Sequence, residues 1–271
     1  MLDPLALLAW ATLGALLVMT VLWWVERWVR NISIVDVAWC LLLVAVVLWY
    51  AAAGSGEPLR RGLLAGLAMV YGLRLGLHVL VTRVIGQSED PRYRAMRRRW
   101  GRDEARNLFG YFMLQAGAVV LFSIPFLVLM PQPRPTLTLW EYAGILVWVI
   151  GVVGETAADL QLADFKRKPW NHERVCRTGL WYYSRHPNYF FEWVHWWAYV
   201  VMGIGVPNGG LTWIGPMVMG WALIRVTGIP LAEEQALLRR GDEYRRYQQT
   251  TSPFIPWPPH REAPPLGSGA N

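Results

Sequence analysis

The chain has 271 residues, of which 54% are hydrophobic and 17% charged, and it carries a formal net charge of +7. Ordinary soluble domains carry about 25% charged residues, and apolar runs this long exceed what a soluble core needs, so a soluble domain and a disordered chain are both excluded. Two cysteines, Cys40 and Cys176, are too few and too far apart for a disulfide scaffold or a thiolate metal cage.

A membrane-crossing helix needs about 20 mostly apolar residues. Seven stretches qualify in chain order: Leu5–Val25, Ile34–Ala53, Leu63–Ile85, Leu108–Met130, Tyr142–Leu162, Tyr189–Val206 and Leu211–Leu231. The first is too long and lacks a small-residue cleavage site, so it reads as a retained helix. The expected fold is an all-α, seven-helix membrane bundle formed by one domain over 1–256. A Pro-, Gly- and Ser-rich stretch begins at Pro253, and 257–271 is expected to be a flexible tail.

Lysines and arginines fall 21 on one side of this topology and three on the other, with Arg74 and Arg225 inside apolar runs. The positive-inside rule then places the N-terminus outside and the C-terminus in the cytoplasm. The same distribution argues against nucleic acid as a partner, because the basic residues belong to membrane loops. The arginine-rich run from Arg83 to Arg106 reads as topology with anionic-lipid contact, or as a face toward a soluble anionic cofactor.

An ionisable group at membrane depth is a functional-site hypothesis by default. Asp36 lies near the start of the second stretch, in Asn31-Ile-Ser-Ile-Val-Asp36. Tyr71, Arg74 and His78 share one face of the third by their i, i+3, i+7 spacing. Glu155 and Asp159 form an i, i+4 pair on the fifth, followed by Asp164 and Lys166. Arg225 precedes Gly228-Ile-Pro230, where proline kinks or ends the helix, and Glu233 and Glu234 follow.

The densest cluster is Leu180-Trp-Tyr-Tyr-Ser-Arg-His-Pro-Asn-Tyr-Phe-Phe-Glu192. Pro187 disfavours helix at His186, so a loop is expected to enter the sixth helix there. Such an entry offers free backbone N–H groups and the positive end of a helix dipole. Arg185, His186 and Asn188 add donors, and Tyr182, Tyr183 and Tyr189 add stacking faces, a mix suited to a ligand with phosphates and rings. An aromatic interface belt is the bland alternative. Glu192-x-x-His195 is half of a metal motif with no second copy, so no metal site is expected. Glycine-rich nucleotide loops and G-x-S-x-G are also absent.

These residues resemble the steroid 5-alpha-reductase family, most closely its bacterial branch of multi-pass proteins. The resemblance rests on Ser184-Arg-His-Pro-Asn-Tyr-Phe-Phe-Glu192, Gly228-Ile-Pro-Leu-Ala-Glu-Glu234, Glu243-Tyr244-x-x-Tyr247 and Pro253-Phe-Ile-Pro256. Asn31-Ile-Ser-Ile-Val-Asp36, Tyr71-Gly-Leu-Arg74 and Glu89-Asp90-Pro-Arg-Tyr93 extend it toward the N-terminus, so that it covers about residues 30 to 256. The His-Pro-x-Tyr core alone recurs in sterol C14-reductases and isoprenylcysteine carboxyl methyltransferases.

The resemblance implies an enzyme that binds NADPH from the cytoplasm and reduces the double bond of a 3-oxo-4-ene steroid or similar apolar enone. In a bacterium it implies the inner membrane. Its first four helices are expected to hold the substrate, and the rest the cofactor. The family's Tyr-x-x-Arg falls on Tyr71 and Arg74, and its acidic residue on the second helix, usually Glu in animal enzymes, on Asp36. Its fifth-helix Asn-x-x-x-Asp and following basic residue fall on Glu155, Asp159 and Lys166, its Asn and Glu at the sixth helix on Asn188 and Glu192, and its seventh-helix Arg on Arg225. His78, Tyr183, Arg185, His186, Tyr189, Glu233, Tyr244 and Tyr247 complete the expected cofactor set. Two departures stand out, Asp36 one carbon shorter than Glu and Glu155 in place of Asn.

Enone reduction needs hydride at the β carbon, a proton at the α carbon and donors to the carbonyl oxygen, where charge develops. Tyr71 is expected to donate directly, with Asp36 donating as a neutral acid or holding Tyr71 in place. Competing readings are an S-adenosylmethionine-dependent methyltransferase, a sterol C14-reductase-like enzyme and a non-enzymatic lipid-binding or scaffold protein. The sequence is silent on oligomeric state, and a monomer is compatible with it.

Overall fold

The computed structural model describes residues 1–260, which are helical throughout and contain no strand. Ten α-helices follow in order: α1 Pro4–Val29, α2 Ile34–Ala53, α3 Pro58–Val79, α4 Pro91–Trp100, α5 Glu104–Leu129, α6 Leu139–Arg167, α7 Leu180–Tyr183, α8 Pro187–Met202, α9 Ile214–Trp221 and α10 Ile229–Thr250. Among the described residues six segments are long and apolar enough to cross a membrane, as in an integral multi-pass membrane protein.

The expected count of seven spans is therefore corrected to six. The expected sixth span, Tyr189–Val206, is the 16-residue α8, short of the about 20 residues a crossing needs. The expected seventh lies within Gly209–Thr250, one stretch with a span-grade apolar window. The arginine-rich run, expected as a loop, instead folds as the short helix α4. Of the expected tail, 261–271 lie outside the described residues.

Prolines and caps set the helix starts. Asp3 caps α1, its Oδ1 accepting from the backbone N–H groups of Leu5 and Ala6 at 3.0 Å each, with Pro4 in the first turn. Thr138 and Glu141 cap α6 reciprocally, Glu141 N–H donating to Thr138 Oγ1 at 3.2 Å and Thr138 N–H to Glu141 Oε2 at 2.7 Å. Pro230, expected to break a helix, stands in the first turn of α10.

The chain divides into two compact units, Met1–Gly144 with Tyr199–Gly215, and Ile145–Ala198 with the chain from Pro216 onward. In the first unit α1 turns Leu7, Ala11, Ala15, Met19 and Glu26 inward. Leu13, Leu17, Val21, Trp24 and Trp28 line an exposed apolar stripe, as a lipid-facing surface requires. Helices α2 and α3 approach closely because Gly72 and Gly76 lack side chains. A Cβ at Gly72 would stand 2.4 Å from Val44 Cγ2, and one at Gly76 3.3 Å from Cys40 Cβ. In the second unit Gly151 and Gly154 do the same for α6 and α8, where added Cβ atoms would meet His195 and Phe191.

Arg60, counted from sequence as a loop charge, is 3% exposed. Its guanidinium pairs with Glu141 and donates to the carbonyls of Gln132, Arg134 and Thr136 at 3.0, 2.9 and 3.1 Å, wrapping the α5–α6 connection around one cation.

Candidate functional site

In the first unit, two short segments interlock. Asn31 Oδ1 accepts from Ser33 N–H at 3.0 Å, a local turn that opens α2. Ile32 N–H donates to Glu89 Oε1 at 2.9 Å, and Asp90 N–H to Ser33 Oγ at 3.4 Å. Asp90 caps α4 by accepting from Arg92 N–H, and the Arg92 guanidinium binds the same carboxylate with two hydrogen bonds of 3.1 and 3.0 Å. Burial pushes the Asp90 carboxyl up, but the hydrogen bonds and charge of Arg92 outweigh it, and the group titrates below its ordinary value. Glu89 also receives Arg97, whose guanidinium gathers Glu26 and Glu104 as well. Every side chain of Glu89-Asp90-Pro-Arg-Tyr93 thus has a structural task.

Asp36 is the focus of this interlock. Its Oδ1 accepts from the Tyr93 hydroxyl at 2.5 Å, and its Oδ2 from Arg83 at 3.4 Å, with Arg92 at 3.8 Å. The Tyr93 and Tyr111 hydroxyls are 3.3 Å apart. Arg83 reaches Asp36 from Leu80–Val84, where α3 widens into a π-helical turn, a feature frequent at functional sites. Asp36 was expected to act with Tyr71, but its hydroxyl partner is Tyr93. Tyr71 is 2% exposed on α3, with Arg74 and His78 half-buried below it. Tyr93 lay within a segment quoted for the resemblance, but as a signature and not as chemistry. Arg83 and Arg92 were hidden by being counted as topology, and Tyr111 by lying in an apolar run.

In the second unit the cluster around Ser184-Arg-His-Pro-Asn188 is assembled as the sequence implied, with α8 starting at Pro187. Arg185 is 8% exposed. It donates to Glu233 Oε1 at 2.7 Å and to the carbonyls of Gln248 and Thr251 at 2.9 and 2.6 Å. Gln248 donates to Glu233 Oε2 at 2.7 Å. Tyr247 donates its hydroxyl to the Trp181 carbonyl and to that of Ser184, and the Arg177 guanidinium lies over its ring. Arg185, Glu233 and Tyr247, expected as cofactor contacts, therefore fasten α10 and the following strap to α7. That strap is held further by Arg185 N–H to Ser252 O, Ser184 Oγ to Phe254 O and Trp257 N–H to Tyr183 O. A cavity of about 350 Å³ opens beside Arg185, with Trp257 and His260 on its walls.

His186 is buried and stacks on Tyr189 with ring centroids 5.3 Å apart. Burial pushes its imidazole pKa below the ordinary value. Glu233, 3.4 Å away, pulls the other way and Arg185 reinforces burial. Asn188 donates to Asp159 Oδ1 at 3.2 Å, bringing α8 onto α6 one turn beyond the buried Glu155. The Asn188 Oδ1 is buried and has no hydrogen-bond partner among the described residues. Tyr244 is buried, Glu192 half-buried, and Tyr183, Lys166 and Arg225 are exposed. Arg225 lies on a second π-helical turn, Ala222–Val226.

A family profile described as "Protein of unknown function (DUF1295)" matches residues 22–251. A relative described as the uncharacterized protein C594.04c of Schizosaccharomyces pombe is 24% identical over 267 residues, covering 87% of this chain and 76% of the yeast protein. No solved structure matches.

Proposed function

From its place in the DUF1295 family, to which the chain belongs, we propose that it is an NADPH-dependent reductase of an apolar enone of the 3-oxo-4-ene steroid type. The family match over 22–251 spans nearly the stretch over which the motifs resemble steroid 5-alpha-reductases. The observation that carries the reading is the orphan Oδ1 of Asn188 beside the Asp159 carboxylate. A buried acceptor without a donor costs about 1–3 kcal/mol, and two adjacent acceptors at a helix start call for a ligand with paired N–H donors. The carboxamide of a nicotinamide supplies that group, so the residues fit the cofactor.

The cofactor, when bound, supplies the hydride. Asn188 and Asp159 orient its ring through the carboxamide, and His186, kept neutral by burial, closes the start of α8. In the first unit Tyr71 donates to the substrate's carbonyl oxygen, where a preorganised donor contributes about 3–4 kcal/mol. Apolar helices admit the substrate from the bilayer, which in a bacterium is the inner membrane.

The test is oxidation of NADPH by the detergent-purified chain with progesterone as the enone. Turnover is expected, and Asn188→Leu is expected to raise KM for NADPH about tenfold or more, from the 1–3 kcal/mol above. Absence of turnover together with unchanged nucleotide binding by Asn188→Leu overturns the reading. Retention of S-adenosylmethionine in place of NADPH would favour the methyltransferase.

A further inference from the structure

The Asp36 carboxylate and the hydroxyls of Tyr93 and Tyr111 form one hydrogen-bonded chain, with links of 2.5 and 3.3 Å, across α2, α4 and α5. Its two ends differ. The Asp36 side chain is 24% exposed and lies in the first turn of α2, with Arg83 and Arg92 beside it. Tyr93 is 4% exposed, and Tyr111 lies two turns into α5, on the face that continues to Gln115 one turn on. A hydroxyl accepts on one side while donating on the other. A proton entering such a chain at one end therefore releases a different proton at the other, with no heavy atom travelling. A network that served only to pin α4 would not need three exchangeable oxygens in series. Asp90 with Arg92, and Glu89 with Arg97, already pin it.

Resting on the reductase reading, we propose that Asp36, Tyr93 and Tyr111 are a relay that supplies the proton added to the substrate's α carbon. Tyr111 delivers it, and Tyr71 remains at the carbonyl oxygen. The substrate's β carbon takes a hydride from the reduced nicotinamide, and the former double-bond electrons become an enolate. The enolate's α carbon then takes the Tyr111 proton, Tyr111 takes that of Tyr93, Tyr93 takes that of Asp36, and water returns a proton to Asp36. One hydride from the nicotinamide and one proton from water balance the reaction. Arg83 and Arg92 hold the carboxylate that exists between the last two transfers. Tyr111 is thus the catalytic residue, and Tyr93 and Asp36 act through it.

Two measurements on the full chain test this. In turnover with NADPH and progesterone, Tyr93→Phe and Tyr111→Phe are each expected to lower kcat about 100-fold, as loss of a general acid does, with KM little changed. Both variants are expected to enlarge the solvent deuterium isotope effect and to mask the effect of deuterated NADPH. Tyr71→Phe lowers kcat without enlarging the solvent effect. A Tyr111→Phe chain within about threefold of wild type, well short of that loss, overturns the relay. The second measurement needs no turnover. In protein labelled at tyrosine Cζ, Asp36→Asn is expected to move the resonances of both Tyr93 and Tyr111, and in a Tyr93→Phe background to leave Tyr111 unmoved. A Tyr111 that never responds, or that responds without Tyr93, breaks the chain. If wild type oxidises no NADPH with progesterone, the reductase reading falls, and the resonances alone uphold or overturn the relay.

Discussion

Two arginine–carboxylate clusters, one in each compact unit, use their tyrosines in opposite ways. At Asp36 the Tyr93 hydroxyl faces a carboxylate and a second hydroxyl. At Glu233 the nearby Tyr247 hydroxyl faces two backbone carbonyls. A carbonyl accepts and never returns a proton, so the second arrangement can only hold. The first can hold or exchange. Similar residue types in similar burial thus separate into a fastening and a chemical device by the partner that each phenol meets.

Substitutions can break or sharpen this contrast. The largest effect on stability is expected from Arg185→Ala, which strands Glu233 and two carbonyls. Breaking a buried ion pair costs about 3–5 kcal/mol. Early thermal unfolding in detergent, with cleavage by protease after Thr250, would register it. Gly72→Ala forces a methyl group into Val44, and overpacking of this kind costs about 1–3 kcal/mol. Its melting temperature should fall while the second unit's proteolytic pattern stays as in wild type. Tyr247→Phe removes one hydroxyl and is expected to cost about 0.5–1.5 kcal/mol in thermal stability with kcat unchanged, the opposite of Tyr93→Phe.

The smallest effect is a pH dependence. His186 titrates lower in the folded chain, so its neutral form is favoured there. Its contribution is intact above about pH 6.5 and is lost as pH falls toward the depressed folded value. Asp90 also titrates lower when folded, so its contribution holds above about pH 3.9 and is lost below. Melting temperatures are expected to drop in two stages on acidification, and His186→Gln to erase only the first.

The helix starts were legible because Pro4, Pro58, Pro91, Pro187 and Pro230 announce them in any context. The His186–Asn188 entry was legible for the same reason. The span count was not, because an apolar run fixes composition and says nothing of where the chain turns. Met202 ends α8 four residues before the apolar run does. Periodicity placed Tyr71, Arg74 and His78 correctly on one helix, but it could not show that Asp36 would meet a phenol 57 residues away. Charge counting treated Arg83, Arg92 and Arg97 as interchangeable, although each is claimed by a particular carboxylate. Long-range pairs of this kind depend on the packing of α4, which no local pattern specifies.

The interlock of 31–36 with 89–93 has a bearing on inheritance. Each segment supplies what the other lacks, Ile32 and Tyr93 donating, Glu89 and Asp36 receiving. A chimera with another family member that exchanges only one of them leaves buried carboxylates facing strangers, so the two must be transplanted together, as one cassette written in two places along the chain.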